Sequence, residues 1–272
     1  MEHPLQIVHI HSAFTVEEPV GFNYPGESHD YWEMVWIEKG TVGITAGSRV
    51  FTCLPGTVVL HRPNEFHRIW NAGDSSIQFT IISFSAVGEY QQALYRKVVA
   101  NTAETEYLLQ MLKGMILKHR ANDRFLPRKF YDDPVIGARF STGLKLFLYT
   151  CADVAEQPQQ TATGSAAVFS AAVKTMRENI SQPMKTQELA LALHISLSQL
   201  KKVFQQYAST GVHEYFLGMK LDLARQMLAG GESVNATAEA VGFDCGNYFS
   251  AVFKRETGMT PTAYRNANRN EK

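Results

Sequence analysis

The sequence predicts a two-domain α+β protein: an N-terminal β-barrel with flanking helices, then an all-helical domain built from a duplicated unit. Three observations predict it. Apolar residues recur in short β-rich runs up to about residue 84 and with a helical period from about residue 87 onward. Residues 153–167 contain no Leu, Ile, Met or aromatic side chain, so they bury little surface and read as a linker. Beyond them, Val203-Phe204 returns as Val252-Phe253 and Tyr215 as Tyr264, each 49 positions later. The predicted divisions are therefore 1–84 for the barrel, 85–152 for a helical dimerisation or packing segment, 153–167 for the linker and 168–272 for the helical domain.

Composition narrows the class. A chain of 272 residues with 45% hydrophobic and 19% charged side chains has ample core and is not disordered. No run reaches 18 apolar residues, and Met-Glu-His-Pro-Leu lacks the basic-then-apolar start of a signal peptide. Cys53, Cys151 and Cys245 are too scattered for a disulfide framework or a CxxC metal site, so a reducing cytoplasm is expected. The 26 Lys+Arg and 26 Asp+Glu cancel, but unevenly. From Phe169 onward there are 12 basic and 9 acidic residues, leaving 14 basic and 17 acidic before it. The helical half, at +3, is the one to search for phosphate contacts.

In the first half, turn signals at Gly40, Leu54-Pro-Gly56 and Asn71-Ala-Gly-Asp74 separate β-rich runs at regular spacing, as in a sandwich or barrel. Leu108, Leu112, Met115 and Leu117 then mark one helix and Leu144, Phe147 and Leu148 another. These helices either cover the barrel or join two copies of the chain, and core packing is the simpler expectation. Past the linker, Phe169, Val173, Met176 and Ile180 form an apolar stripe closed by Ser181-Gln182-Pro183. A short helix from Thr186 and a second from Ser198 follow. Phe216, Met219, Leu223 and Met227 mark a long connecting helix ended by Gly230-Gly231. A short helix ending at Ala238-Glu-Ala-Val-Gly-Phe and a longer one from Asn247 repeat the pair.

A small Ala inside the first helix, Gly at the turn and apolar anchors in the second helix are the requirements of a helix-turn-helix. Ala190 and Ala238 lie 48 apart, so the second turn carries one extra residue. Gly242 suits a positive φ; in the first copy His194 occupies that place, and His tolerates the left-handed region better than most residues.

Residues 169–265 resemble the DNA-binding domain of AraC/XylS-type bacterial transcription regulators. The resemblance rests on Val-His-Glu-Tyr-Phe at 212–216, Leu-Asp-Leu-Ala-Arg-Gln-Met-Leu at 221–228, Ala-Glu-Ala-Val-Gly-Phe at 238–243, Asn-Tyr-Phe-Ser-Ala-Val-Phe-Lys-Arg-Glu-Thr-Gly at 247–258 and Thr-Pro-Thr-Ala-Tyr-Arg at 260–265. It implies a homodimer that binds a double-stranded operator, meets RNA polymerase if it activates, and has no membrane role. By the same resemblance each second helix reads a major groove. Ser198, Lys201 and Lys202 hold the groove-facing positions of the first, with Gln199 beside them, and a lysine there can donate to guanine or equally bind phosphate. Asn247, Ser250 and Ala251 hold those of the second, with Lys254 and Arg255 serving the phosphate backbone.

In the first half, His29-Asp-Tyr-Trp-Glu33, Gly40, Pro55-Gly56 and His67 with Asn71 resemble the cupin barrel, which AraC-type regulators often carry as an effector domain. On a strand, Glu27, His29, Tyr31 and Glu33 would share one face, with Trp32, Met34 and Trp36 packed on the other against helices. Three uses of the site stay open. A small-molecule pocket, for a sugar or related metabolite, would use His29, Tyr31, Glu33 and His67. No cofactor is then required. A metal site would use Glu27, His29, Glu33 and His67 for Zn, Mn or Fe, although the cupin His-x-His is here Glu27-x-His29. In the third use His29 and Glu33 simply pair. A metal-dependent cupin enzyme with an appended helical domain is the competing function; the regulator reading implies no catalytic residues.

Overall fold

The structure, a computed structural model, describes residues 5–88, 94, 98–100, 102–119, 133–154 and 164–269. It divides into two units, the first ending at Gln160 and the main stretch of the second running from Thr161.

The N-terminal unit is a pair of antiparallel sheets. Strands β1 (Gln6–Glu18), β2 (Trp32–Lys39), β5 (Thr57–His61), β7 (Ile77–Val87) and β8 (Val98–Ala100) form one sheet in the order β1-β7-β2-β5-β8. Strands β4 (Arg49–Cys53), β3 (Val42–Ala46) and β6 (His67–Asn71) form the other. Helices α1 (Ala103–His119) and α2 (Pro134–Asp153) follow.

Strand β2 explains the layering. It is buried on both faces, and its side chains alternate between two cores. Val35 and Ile37 join Ile44, Phe51 and Phe79 inside the barrel. Trp32, Met34 and Trp36 instead join Leu108, Leu112, Phe140 and Phe147 of the helices, as their parity predicts. Lys113 of α1 pairs with Glu38 of β2 and lies over the Trp36 ring, and Thr80 donates to the same carboxylate at 2.7 Å. The helices therefore cover the barrel, as expected of Leu108, Leu112, Leu144, Phe147 and Leu148. Leu117 is the exception: it is exposed, and Ile116 takes the buried place.

The predicted boundaries shift. Strand β7 runs past 84 to Val87, and β8 pairs with β5 through Val98 and Val99, so the segment 85–152 is not helical throughout. A three-residue edge strand is held by its neighbour and leaves no period to read. Of the linker, 155–163 lies outside the described residues; Asp153 ends α2, and Gly164 to Ala167 already belong to the next helix.

The C-terminal unit holds α3 (Gly164–Glu178), α4 (Thr186–Ala192), α5 (Leu197–Ala208), α6 (Val212–Ala229), α7 (Val234–Ala240), α8 (Gly246–Thr257) and α9 (Pro261–Arg269). Phe169 packs against Phe204, Tyr207 and Tyr215 in the first copy. Phe249 and Phe253 pack with Phe243 and Tyr264 in the second.

Both helix-turn-helix turns close with the same hydrogen bonds. Ile195 N donates to Ala190 O at 3.1 Å, and Phe243 N to Ala238 O at 2.9 Å. This six-to-one bond needs a left-handed residue just before its donor. His194 supplies it at φ 55° and Gly242 at φ 71°. Only the second position also demands glycine for space, because a Cβ on Gly242 would lie 2.2 Å from the Ser181 carbonyl oxygen. The extra residue of the second turn is Asp244, inserted between that bond and α8.

Candidate functional site

Helices α5 and α8 present the predicted DNA-facing residues. Leu200, Val203, Phe204 and Tyr207 bury one face of α5, while Ser198, Gln199, Lys201 and Lys202 are exposed. At 100° per residue, Ser198 and Lys202 point directly away from that buried face and Lys201 lies on its flank. In α8, Phe249, Val252 and Phe253 are buried; Asn247, Ala251, Lys254 and Arg255 are exposed and Ser250 is half-buried. Asn247 and Ala251 take the places opposite the core that Ser198 and Lys202 take in α5. Arg255 lies against Glu256, with Nε 2.7 Å from its carboxylate, so it reaches a phosphate only by leaving that partner. The two helix starts differ. Ser196 caps α5 by accepting from Gln199 N at 3.1 Å, whereas Cys245 precedes α8 with no side-chain cap.

In the barrel, Glu33 sits where β2 lies between β5 and β7, opposite His61 on one side and Ser83 on the other. Ser83 Oγ donates to its carboxylate at 3.0 Å, and Ser12 Oγ donates to Ser83 at 3.0 Å. His67 Nε2 lies 3.3 Å from the carboxylate and His29 Nε2 3.6 Å. The ligand atoms of Glu27, His29, Glu33 and His67 all fall within 4.8 Å of one another. The structure thus brings the four together, but not along one strand. β2 begins only at Trp32, and Glu27, His29 and Tyr31 precede it in a loop.

The imidazoles are held in one sense. His29 Nδ1 is 3.0 Å from the Tyr31 carbonyl oxygen, and His67 Nδ1 is 2.9 Å from that of Glu65. A carbonyl only accepts, so each Nδ1 carries the proton and each Nε2 is turned toward Glu33. Burial would raise the Glu33 carboxyl, but the imidazoles of His29 and His67, with His61 nearby, hold it well below the usual carboxylate range. Two ring nitrogens and the carboxylate thus converge on one buried point. Such a site suits a polar ligand that can hydrogen-bond to both kinds of group. Two imidazoles and two carboxylates also fit the donor set of a divalent Zn, Mn or Fe ion.

Tyr31 does not offer a stacking platform. Its ring lies 3.7 Å from the His29 ring at 11° and 4.0 Å from the His11 ring at 20°. Two rings that close cannot share one face, so both faces are covered. Sequence reasoning missed His61, stacked on His67 at 4.5 Å and with its basicity lowered by burial and by that neighbour. It also missed His11 and Ser83. Their only signal is strand register, which a single sequence does not display. Asn71, four after His67, serves the turn: its amide nitrogen donates to Pro19 O and Ser75 O.

A polar cage inside a barrel, followed in the same chain by two helix-turn-helix units with exposed second helices, is the arrangement of a ligand-binding DNA-binding regulator. Two family models match: "AraC-like ligand binding domain" over residues 12–131 and "Helix-turn-helix domain" over residues 189–267. The chain belongs to the AraC family of transcription regulators. It is 21% identical to the HTH-type transcriptional regulator YfiF of Bacillus subtilis, over 90% of this chain and 79% of that one. It is 24% identical to the raffinose operon transcriptional regulatory protein RafR of Pediococcus pentosaceus, over 90% and 88%. With the HTH-type transcriptional regulator ArgR of Pseudomonas aeruginosa it shares 35% identity over 99 residues, 36% of this chain but only 30% of ArgR. These relatives are transcription regulators, and no comparison supports the cupin-enzyme alternative. Among the described residues no helix is long and apolar enough to cross a membrane.

Proposed function

We propose that this regulator is a cytoplasmic homodimer without catalytic activity whose barrel binds a sugar or a related polyhydroxy metabolite at His29, Glu33 and His67, with Tyr31 bracing His29. The observation that carries this is the convergence of the buried Glu33 carboxylate with the imidazole Nε2 atoms of His29 and His67, 3.6 and 3.3 Å away. Hydroxyls both donate and accept, so a ligand bearing several of them can bond the carboxylate and the imidazoles together. The raffinose operon in the name of RafR supports the same class. Ser198, Gln199, Lys201 and Lys202 of the first copy and Asn247, Ser250, Ala251, Lys254 and Arg255 of the second contact the operator. RNA polymerase is a further partner if the regulator activates. The effector acts only by favouring one arrangement of the chain over another, since equal affinity for both would leave DNA occupancy unchanged.

The same proximity of ligand atoms favours a second reading, a divalent metal held by Glu27, His29, Glu33 and His67. One experiment separates them. The purified protein is screened by thermal shift against sugars, sugar acids and divalent metals, with and without chelator. A sugar that raises the melting temperature in wild type and not in Glu33→Gln supports the first. A stoichiometric ion lost in Glu33→Ala or His67→Ala supports the second. No response to either class removes the effector site from the cage.

A further inference from the structure

We propose that Lys220 is a positioning residue that holds the two helix-turn-helix copies in register, so that both recognition helices reach DNA together. The proposal rests on the DNA-binding reading of α5 and α8. Lys220 lies in the middle of α6, the helix that joins the copies, and is only 8% exposed. Its ammonium group is 2.5 Å from Ile180 O, 2.6 Å from Val241 O and 3.4 Å from Gln182 O, and 4.8 Å from the centre of the Phe216 ring. Ile180 and Gln182 belong to the turn that leads into the first copy. Val241 is the last residue before the turn of the second. Three ammonium protons thus meet three carbonyl oxygens, two from the turn that enters the first copy and one from the second copy.

A methionine would fill this volume without the desolvation that weakens Lys220's hold on its proton. What methionine lacks is direction: it would not fix two chain turns against one point. The neighbouring contact is as tight, with Gly242 seated against Ser181 O so closely that no Cβ fits. Lys220 touches neither the exposed face of α5 nor that of α8. Its effect on DNA is therefore indirect, through the geometry that lets one helix dock once the other has. Two linked modules gain roughly 10²–10⁴ in affinity over one only when both can engage at once.

The test uses the full chain and two duplexes. The first is selected from a random pool by wild-type protein; the second carries a 5-bp insertion between its two protected grooves, about half a helical turn. Wild type is expected to bind the first about 100-fold tighter than the second. Lys220→Met is expected to bind the first about tenfold more weakly while the ratio between duplexes falls toward unity, and Lys220→Arg to restore part of that ratio. Loss of folded protein would weaken both duplexes equally and leave the ratio unchanged, so an unchanged ratio in folded Lys220→Met overturns the proposal. If Lys220→Met does not fold, Lys220→Gln and Lys220→Arg are read by the same ratio. Failure of all three to fold assigns the residue to folding and overturns the positioning role. A wild type that does not distinguish the duplexes refutes the two-helix reading itself, whatever the variants do.

Discussion

Replacing Lys201 and Lys202 together with alanine should flatten the salt dependence of operator binding by a calculable amount. Both side chains are exposed on α5, one opposite the buried face and one on its flank, so alanine leaves the packing of Leu200, Val203 and Phe204 intact. Each phosphate contact contributes about 0.9 to the slope of log K against log salt. Losing two lowers the slope by about 1.8, so that between 50 and 200 mM salt the variant loses about twelvefold less affinity than wild type. Fluorescence anisotropy on the selected duplex at four salt concentrations, fitted for slope, measures this directly. A drop near 0.9 would mean that one lysine reads a base or faces solvent, and single variants would identify it. An unchanged slope with unchanged affinity would remove α5 from the DNA interface.

Three further outcomes are expected. Gly242→Ala should destabilise the helical unit by about 3 kcal/mol or more, combining left-handed strain of about 1–2 kcal/mol with the clash on Ser181 O; urea unfolding followed by circular dichroism measures it, and a loss below 1 kcal/mol would contradict the turn geometry. Cys245→Ser should stabilise α8 by about 0.5–1 kcal/mol by adding the cap that Ser196 gives α5, and the same unfolding assay would register no gain if the turn excludes a serine cap. Because the Glu33 carboxyl is held low when folded, its ionisation adds stability above the ordinary value of 4.5, and that contribution is lost as pH falls further toward the folded value. Wild type and Glu33→Gln should therefore differ most above about pH 4.5 and converge in acid; a gap that widens in acid would reverse the assigned sign.

The helical half was legible because its determinants are local. A stripe at helical spacing, an alanine at the crossing and a glycine after the first helix all lie within a few residues of what they specify. Even the departure at His194 could be read, since one backbone angle decides it, and the structure gives that residue φ 55°. In the barrel, the residue types of the cage were legible but their arrangement was not. Alternation placed Trp32, Met34 and Trp36 correctly because β2 is a true strand there. The same rule extended back to Glu27 fails, because the chain before Trp32 is a loop, and it gave Tyr31 a ligand-facing ring that His29 and His11 in fact cover. His61 entered only through its register with Glu33, a contact between residues 28 positions apart that no periodicity encodes.

The cancelling charges of the whole chain bear on how specificity must arise. A net charge of zero, with an excess of three on the helical half, gives little general attraction to phosphate, so the long-range pull that helps strongly basic proteins find DNA is weak here. The two recognition helices are also unequal. α5 offers Lys201 and Lys202 near its start, whereas in α8 the cations come late and Arg255 already lies against Glu256. On the proposed reading the first copy brings two cations as well as Ser198 and Gln199 to its groove. The second leads with Asn247 and Ala251, side chains suited to adenine and to a thymine methyl rather than to phosphate. On the proposed reading each helix alone makes only a few contacts, and that gives a rigid seam between the copies its value.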